Sequence, residues 1–169
     1  MTTTTPTPSP EPTAPSPWVQ GWHRSARQMP SPNRGPRPGQ AHIDLIVVHS
    51  ISLPPGQYGG QAVQDLFMNR LDWEAHPYYQ DIRGLQVSAH FFIERDGTVW
   101  QFVDCDQRAW HAGVSAYRGR SQCNDDSVGI ELERLDRGEQ SIQLSECALL
   151  DVVTDLDAVC GTDNPQLVI

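Results

Sequence analysis

The stretch Ile43–Gly60, IDLIVVHSISLPPGQYGG, decides how this chain is read. Its first half is almost continuous Ile, Leu and Val. That pattern predicts a strand over Ile43–His49 buried on both faces, as in the centre of a sheet. The strand runs into His49, and the chain then turns through Ser50, two prolines and several glycines. Ligands gather at strand C-termini of α/β sheets, so an imidazole at the lip of such a loop is a candidate functional group. A strand-end histidine bonded to backbone is the alternative.

Outward from this strand the elements follow in order. Gln61–Asn69 carries apolar residues at Val63, Leu66 and Phe67, the spacing of a helix. The polar, aromatic segment after it predicts a loop with a short helical turn. SAHFFIERDGTVWQFV predicts a hairpin, with strands over Ser88–Glu94 and Thr98–Val103 joined through Asp96-Gly97, which supplies the positive φ of a tight turn. Ser127–Glu133, SVGIELE, predicts a further strand. Ser145–Gly161 predicts a helix capped by Ser145, with Leu149, Val152, Val153, Leu156 and Val159 as its apolar stripe. Residues 18–40, rich in proline and arginine, predict irregular wrapping. QLVI begins one more strand. The fold class expected is α/β: a mixed central β-sheet flanked by helices.

The 169 residues suffice for one domain with a core of its own, expected over 18–169. Residues 1–17, nearly all Thr, Pro and Ser, cannot bury enough apolar surface to offset their ordering entropy and predict a disordered tail. The tail lacks the basic and apolar regions of a secretory signal, and no apolar run is long enough to span a membrane, so a cytoplasmic location is expected. A formal net charge of −9 argues against general nucleic-acid affinity. All twelve basic residues are arginine. Cys105, Cys123, Cys147 and Cys160 form no C-x-x-C pair and are expected to be free thiols.

Glu131 is a second candidate. Flanked by Val, Gly, Ile and Leu, it is buried if its strand is central, and burial would raise its pKa and make it a useful base near neutrality. On an edge strand it would lie in water. Trp110 and His111, in AWHAG, form a third candidate, either a platform for a sugar or peptide or a loop tucked onto the core. His90, inside the hairpin strand, reads as a satisfied core histidine. No H-E-x-x-H motif names a metal.

Five segments, GWHRSARQMPSPN, LIVVHSISLPPGQYGG, VSAHFFIERDGTVWQFV, RAWHAGVSAYRGR and CNDDSVGIELE, occur in the order in which they occur in the zinc N-acetylmuramoyl-L-alanine amidases of cell-wall recycling. The chain resembles that family from about Gly21 to its end. The fold relatives of the family include phage lysozyme-type amidases and peptidoglycan recognition proteins. The resemblance implies a monomer that cleaves the amide between (1,6-anhydro-)N-acetylmuramic acid and L-alanine in muropeptides, with Zn2+ as cofactor. It implies His49 as a zinc ligand, Glu131 as the catalytic acidic residue, and Trp110 and Ser50 as substrate-binding residues.

The match also has gaps. The family's second histidine, its aspartate ligand and an assisting lysine belong to a stretch of the form G-H-x-D-I-A-P followed by R-K-T-D-P-G, which does not occur in this sequence. From the sequence the domain is therefore expected to be incomplete at its C-terminus and, as it stands, inactive. A muropeptide-binding module without catalysis is the other reading. Gln86 and Gln122 stand where relatives carry arginine, and a glutamine cannot form arginine's bidentate bond to a carboxylate. Arg118 and Arg120 are the nearby cations that could take over that role.

Overall fold

The structure, a computed structural model, describes residues 15–39, 41–134, 143–156, 159–160 and 165–168, with side chains omitted for 143–146. Most of the tail expected at 1–17, and the Gly161 expected after the last helix, lie outside these residues. The elements are β1 (Trp18–Val19), β2 (Trp22–His23), β3 (Arg27–Gln28), β4 (Arg34–Pro36), β5 (Leu45–Ile51), α1 (Ala62–Phe67), α2 (Pro77–Asp81), β6 (Phe91–Ile93), β7 (Val99–Gln101), β8 (Gln107–Ala109), β9 (Ala116–Tyr117), β10 (Arg120–Ser121), β11 (Ser127–Glu133), α3 (Gln143–Leu156) and β12 (Gln166–Val168).

The main sheet has six strands in the order β12-β5-β11-β6-β7-β3. It is mixed. β11 runs parallel to both β5 and β6, and β12 runs parallel to β5, whereas β6 and β7 form an antiparallel hairpin. β5 and β11, both interior to the sheet, are the two long apolar runs of the sequence, as burial on both faces requires. The hairpin turns at Gly97, whose φ of +85° only glycine adopts without strain. Cross-strand bonds continue one residue past each end, Phe102 N–H to His90 O at 2.9 Å and Glu94 N–H to Thr98 O at 3.0 Å, and beyond them Ser88 N–H donates to Trp110 O at 3.0 Å instead.

Alternation divides the core in two. On one face Ile46, Val48, Phe91, Ile93, Val128 and Ile130 pack beneath Val152 and Leu156 of α3. On the other face Phe92 packs with Val63, Leu66 and Phe67 of α1 and Tyr79 of α2. α3 starts at Gln143, two residues before the Ser145 expected to cap it, so Ser145 lies within the helix. α2 is the expected helical turn. Pro77 occupies its first position and His76 Nδ1 accepts the Tyr78 N–H at 3.2 Å.

The N-terminal stretch expected to be irregular is partly paired. β3 forms the edge of the main sheet beside β7, and β4 pairs with β8. Trp18 Nε1 donates to Asp155 O at 2.9 Å, and His23 Nε2 lies 2.7 Å from Asp155 Oδ2, which fastens this stretch to α3. Short two-residue strands leave little periodic signal, so their pairing depends on the surfaces they meet. Because fully buried Leu156 joins α3 to the sheet, Leu156→Ala is expected to lower stability by about 2–5 kcal/mol in urea unfolding.

Candidate active site

The β5–β11 register places Glu131 directly opposite His49 and Gly129 opposite Val47. Residues paired in this way point to one face, so Ser127, Gly129, Glu131 and Glu133 share a face with Val47 and His49. That face lies away from α3. The two residues suspected separately from the sequence are therefore neighbours across a parallel pair.

Their environments differ from water. Burial lowers the His49 pKa and raises that of Glu131 to about 8. Glu131 Oε2 is buried and has no hydrogen-bond partner. Its neighbour two residues on, Glu133, is fully engaged: Oε1 accepts the Gly59 N–H at 2.7 Å and Oε2 the Arg95 N–H at 3.2 Å. One carboxylate of the strand thus pins the loop after β5 to the hairpin turn, and the other is left with an unsatisfied oxygen facing the site. A carboxyl that changes charge near neutrality is suited to moving a proton.

His111 joins them, although of the AWHAG pair only Trp110 was singled out as a site residue by the resemblance. His49 Nε2 lies 3.0 Å from His111 Nδ1, and His111 Nε2 lies 3.0 Å from Ser127 Oγ. The His111 ring lies against Gly129, where a Cβ would come within 2.3 Å of His111 Cγ. The signal was present in the sequence: an isolated glycine inside a strand marks a close approach. Burial holds His111 well below the usual histidine range, and the His90 and His49 imidazoles and the Arg37 guanidinium add to the effect.

His90 is a satisfied core histidine, as read from the sequence. Its Nδ1 accepts the Gly129 N–H at 3.0 Å and its Nε2 lies 2.9 Å from Gln107 O. Burial, with Arg37 alongside, pushes its pKa down to about 3. Arg37 itself donates to Cys105 O, Asp125 O and Ser127 O at 3.1, 2.7 and 2.9 Å, fixing the loop that leads into β11.

Ser50 is not brought to this group. It alternates to the opposite face, where its Oγ accepts from Arg134 Nε at 2.9 Å. Trp110 is half-buried beside His111, and its backbone N–H donates to Ser88 Oγ at 3.0 Å. A cavity of about 250 Å3 opens beside His49 and His111, lined also by Val47, Ala112, Tyr117 and Val168. A larger cavity of about 710 Å3, lined by Pro36, Arg37, Ile43 and Cys105, shares none of these residues. Chemistry rather than size selects the site. Of the two cations beside it, Arg120 pairs with Asp44 and Asp126 at 2.9 and 3.4 Å, whereas the Arg118 guanidinium lies 5.3 Å from the Tyr117 ring centroid.

Among the described residues no group of three or more His, Cys, Asp or Glu side chains is placed to hold a metal ion. A catalytic zinc takes three protein ligands. His49 offers one imidazole, and the described residues do not complete a zinc site. All four cysteines are free thiols. No helix among the described residues is long and apolar enough to cross a membrane.

Residues 39–159 match the N-acetylmuramoyl-L-alanine amidase family Amidase_2. The chain is 53% identical over 117 residues to the 1,6-anhydro-N-acetylmuramyl-L-alanine amidase AmpD of Citrobacter freundii, covering 69% of this chain and 63% of that protein. It is likewise 53% identical over 117 residues to AmpD of Escherichia coli K12, with 69% and 64% covered. The matched region thus spans a little under two thirds of the length of these curated relatives. A crystal structure of a selenomethionine AmpD derivative superposes with a TM-score of 0.81 at 46% identity, covering 84% of this chain and 79% of that one.

Two outcomes follow from the geometry. Gly129→Ala must displace the His111 ring and is expected to cost about 1–3 kcal/mol in urea unfolding. For Glu131, the folded chain holds a proton between pH about 4.5 and 8 that the unfolded chain has lost. Stability contributed by the neutral carboxyl is therefore complete below that window and is lost as pH rises through it, by on the order of a few kcal/mol. Glu131→Gln, measured with chelator present, is expected to raise the melting temperature at pH 9 and to change it little at pH 4.

Proposed function

Because the chain belongs to the N-acetylmuramoyl-L-alanine amidase family, we propose that it acts on muropeptides, hydrolysing the amide between (1,6-anhydro-)N-acetylmuramic acid and L-alanine in peptidoglycan recycling in the cytoplasm. The observation that carries this reading is the pairing of His49 with Glu131 across β5 and β11, with a buried carboxylate oxygen of Glu131 that has no hydrogen-bond partner.

The chain's own residues divide the work by chemistry. Glu131 is the catalytic residue. As carboxylate it takes the proton of the attacking water, and as acid it delivers that proton to the departing L-alanine nitrogen. Burial lifts its proton affinity into the range where both transfers are possible near neutral pH. The residue proposed to bind the zinc the family implies is His49. Trp110, half-buried and next to His111 in the chain, offers an aromatic surface to the sugar. Arg118, over the Tyr117 ring beside the cavity, is the cation free of an ion pair with Asp44 that can meet a stem-peptide carboxylate. The substrate is a small molecule, and a monomer suffices to bind it.

The test is release of L-alanyl peptide from anhydromuramyl-tripeptide by the full 169-residue chain supplied with Zn2+. Contrary to the inactivity expected from the sequence alone, turnover is expected, falling by about 10²–10⁴-fold in Glu131→Gln with KM little changed. Turnover undiminished in that variant would overturn the assignment of Glu131, and muropeptide binding without cleavage would replace an enzyme with a binding module. Arg118→Ala is expected to raise KM for a substrate bearing the stem carboxylates and to leave kcat near its original value.

A further inference from the structure

The hydrogen bonds behind His49 form a directed chain. Ser127 Oγ lies 2.5 Å from Cys123 O, a carbonyl that can only accept, so the hydroxyl proton points there. Ser127 Oγ is then an acceptor toward His111, 3.0 Å away, and His111 Nε2 carries the proton of that contact. A neutral His111 with its proton on Nε2 has a lone pair on Nδ1. The 3.0 Å contact from His111 Nδ1 to His49 Nε2 needs one donor, and that donor is His49 Nε2–H. Each tautomer is set by the next group, and the series ends on a backbone carbonyl whose role cannot reverse.

The consequence falls on the other nitrogen of His49. Nδ1 makes no hydrogen bond with a described residue, and His49 lines the cleft. We propose that His111 is a positioning residue: braced by Ser127 and seated in the notch that Gly129 leaves, it accepts the Nε2 proton of His49 and leaves Nδ1 as the one lone pair His49 presents to the cleft. Outer partners of a ligating histidine fix ring orientation and tautomer in this way. The notch is specific to glycine, because a Cβ at 129 would occupy the position of the ring. This inference rests on the reading of His49 as the ligand-bearing imidazole of the cleft.

The experiment is nitrogen-15 NMR of the full chain, metal-free in chelator and without substrate. Its result is therefore independent of turnover: loss of the proton chain would leave the amidase reading standing, and lack of turnover with the chain intact would count only against that reading. In the unsubstituted protein one proton is expected on His49 Nε2, with a through-hydrogen-bond coupling to His111 Nδ1 and a pyridine-type His49 Nδ1. His111→Asn, whose Oδ1 can replace Nδ1 as acceptor, is expected to keep a slowly exchanging His49 Nε2–H. His111→Phe is expected to lose it. Ser127→Ala frees His111 to exchange tautomers and is expected to abolish the single coupling while amide signals far from residues 111 and 127 stay in place. A proton found on His111 Nδ1 or on His49 Nδ1, an Asn variant that behaves like Phe, or a coupling unchanged in Ser127→Ala would overturn the proposal. If both His111 variants fail to fold, the coupling in the unsubstituted protein decides.

Discussion

The parallel pairing of β5 with β11 is the constraint on which the rest depends. Seven consecutive residue pairs, from Ser127 opposite Leu45 to Glu133 opposite Ile51, fix a single register. A slip of one residue would turn Glu131 toward α3 and bring Ile130 to the cleft. The apolar residues on the other face, Ile46, Val48, Val128 and Ile130, oppose such a slip because their burial beneath α3 would be lost. Core packing on one face thus sets the chemistry on the other.

That division explains how a buried, unpartnered carboxylate oxygen can persist. Leaving such an atom without a hydrogen bond is unfavourable, and here the cost falls on a strand held by neighbours on both sides. Local strain of this kind survives where the surroundings over-determine the geometry. Glu133 shows the ordinary arrangement on the same strand, with both oxygens satisfied by backbone N–H groups. The proposed proton-transfer role of Glu131 rests on this contrast between two glutamates two residues apart.

The outer elements support the same geometry from a distance. Arg37 gathers carbonyls from the 105 and 125–127 segments and so fixes where Ser127 begins β11. Gly129 meets His90 on the ladder side, through its N–H, and His111 over its face. A small residue at this point lets two imidazoles approach one strand. The relation to the amidase family follows the same elements, since the matched segment contains both central strands and the loop between β8 and β11.

Much of this was legible in the sequence. The two central strands, the hairpin at Asp96-Gly97, α1 and the mixed α/β class follow from periodicity and turn chemistry, which are local properties of the chain. His49 and Glu131 each stood out because a polar residue interrupts an apolar run. The short pairings of β1 to β4 were not legible, since two-residue strands carry no period and form only where another surface offers a partner. Nor could the sequence settle Ser50, which sits next to His49 in the chain yet faces away from it because a strand alternates. What the sequence determined by itself were the longer elements and the polar residues that interrupt their apolar runs. Only the tertiary structure decided that His111, sixty-two positions along, would stand behind His49, because that contact depends on the register of β11 and the missing side chain of Gly129 rather than on any local pattern.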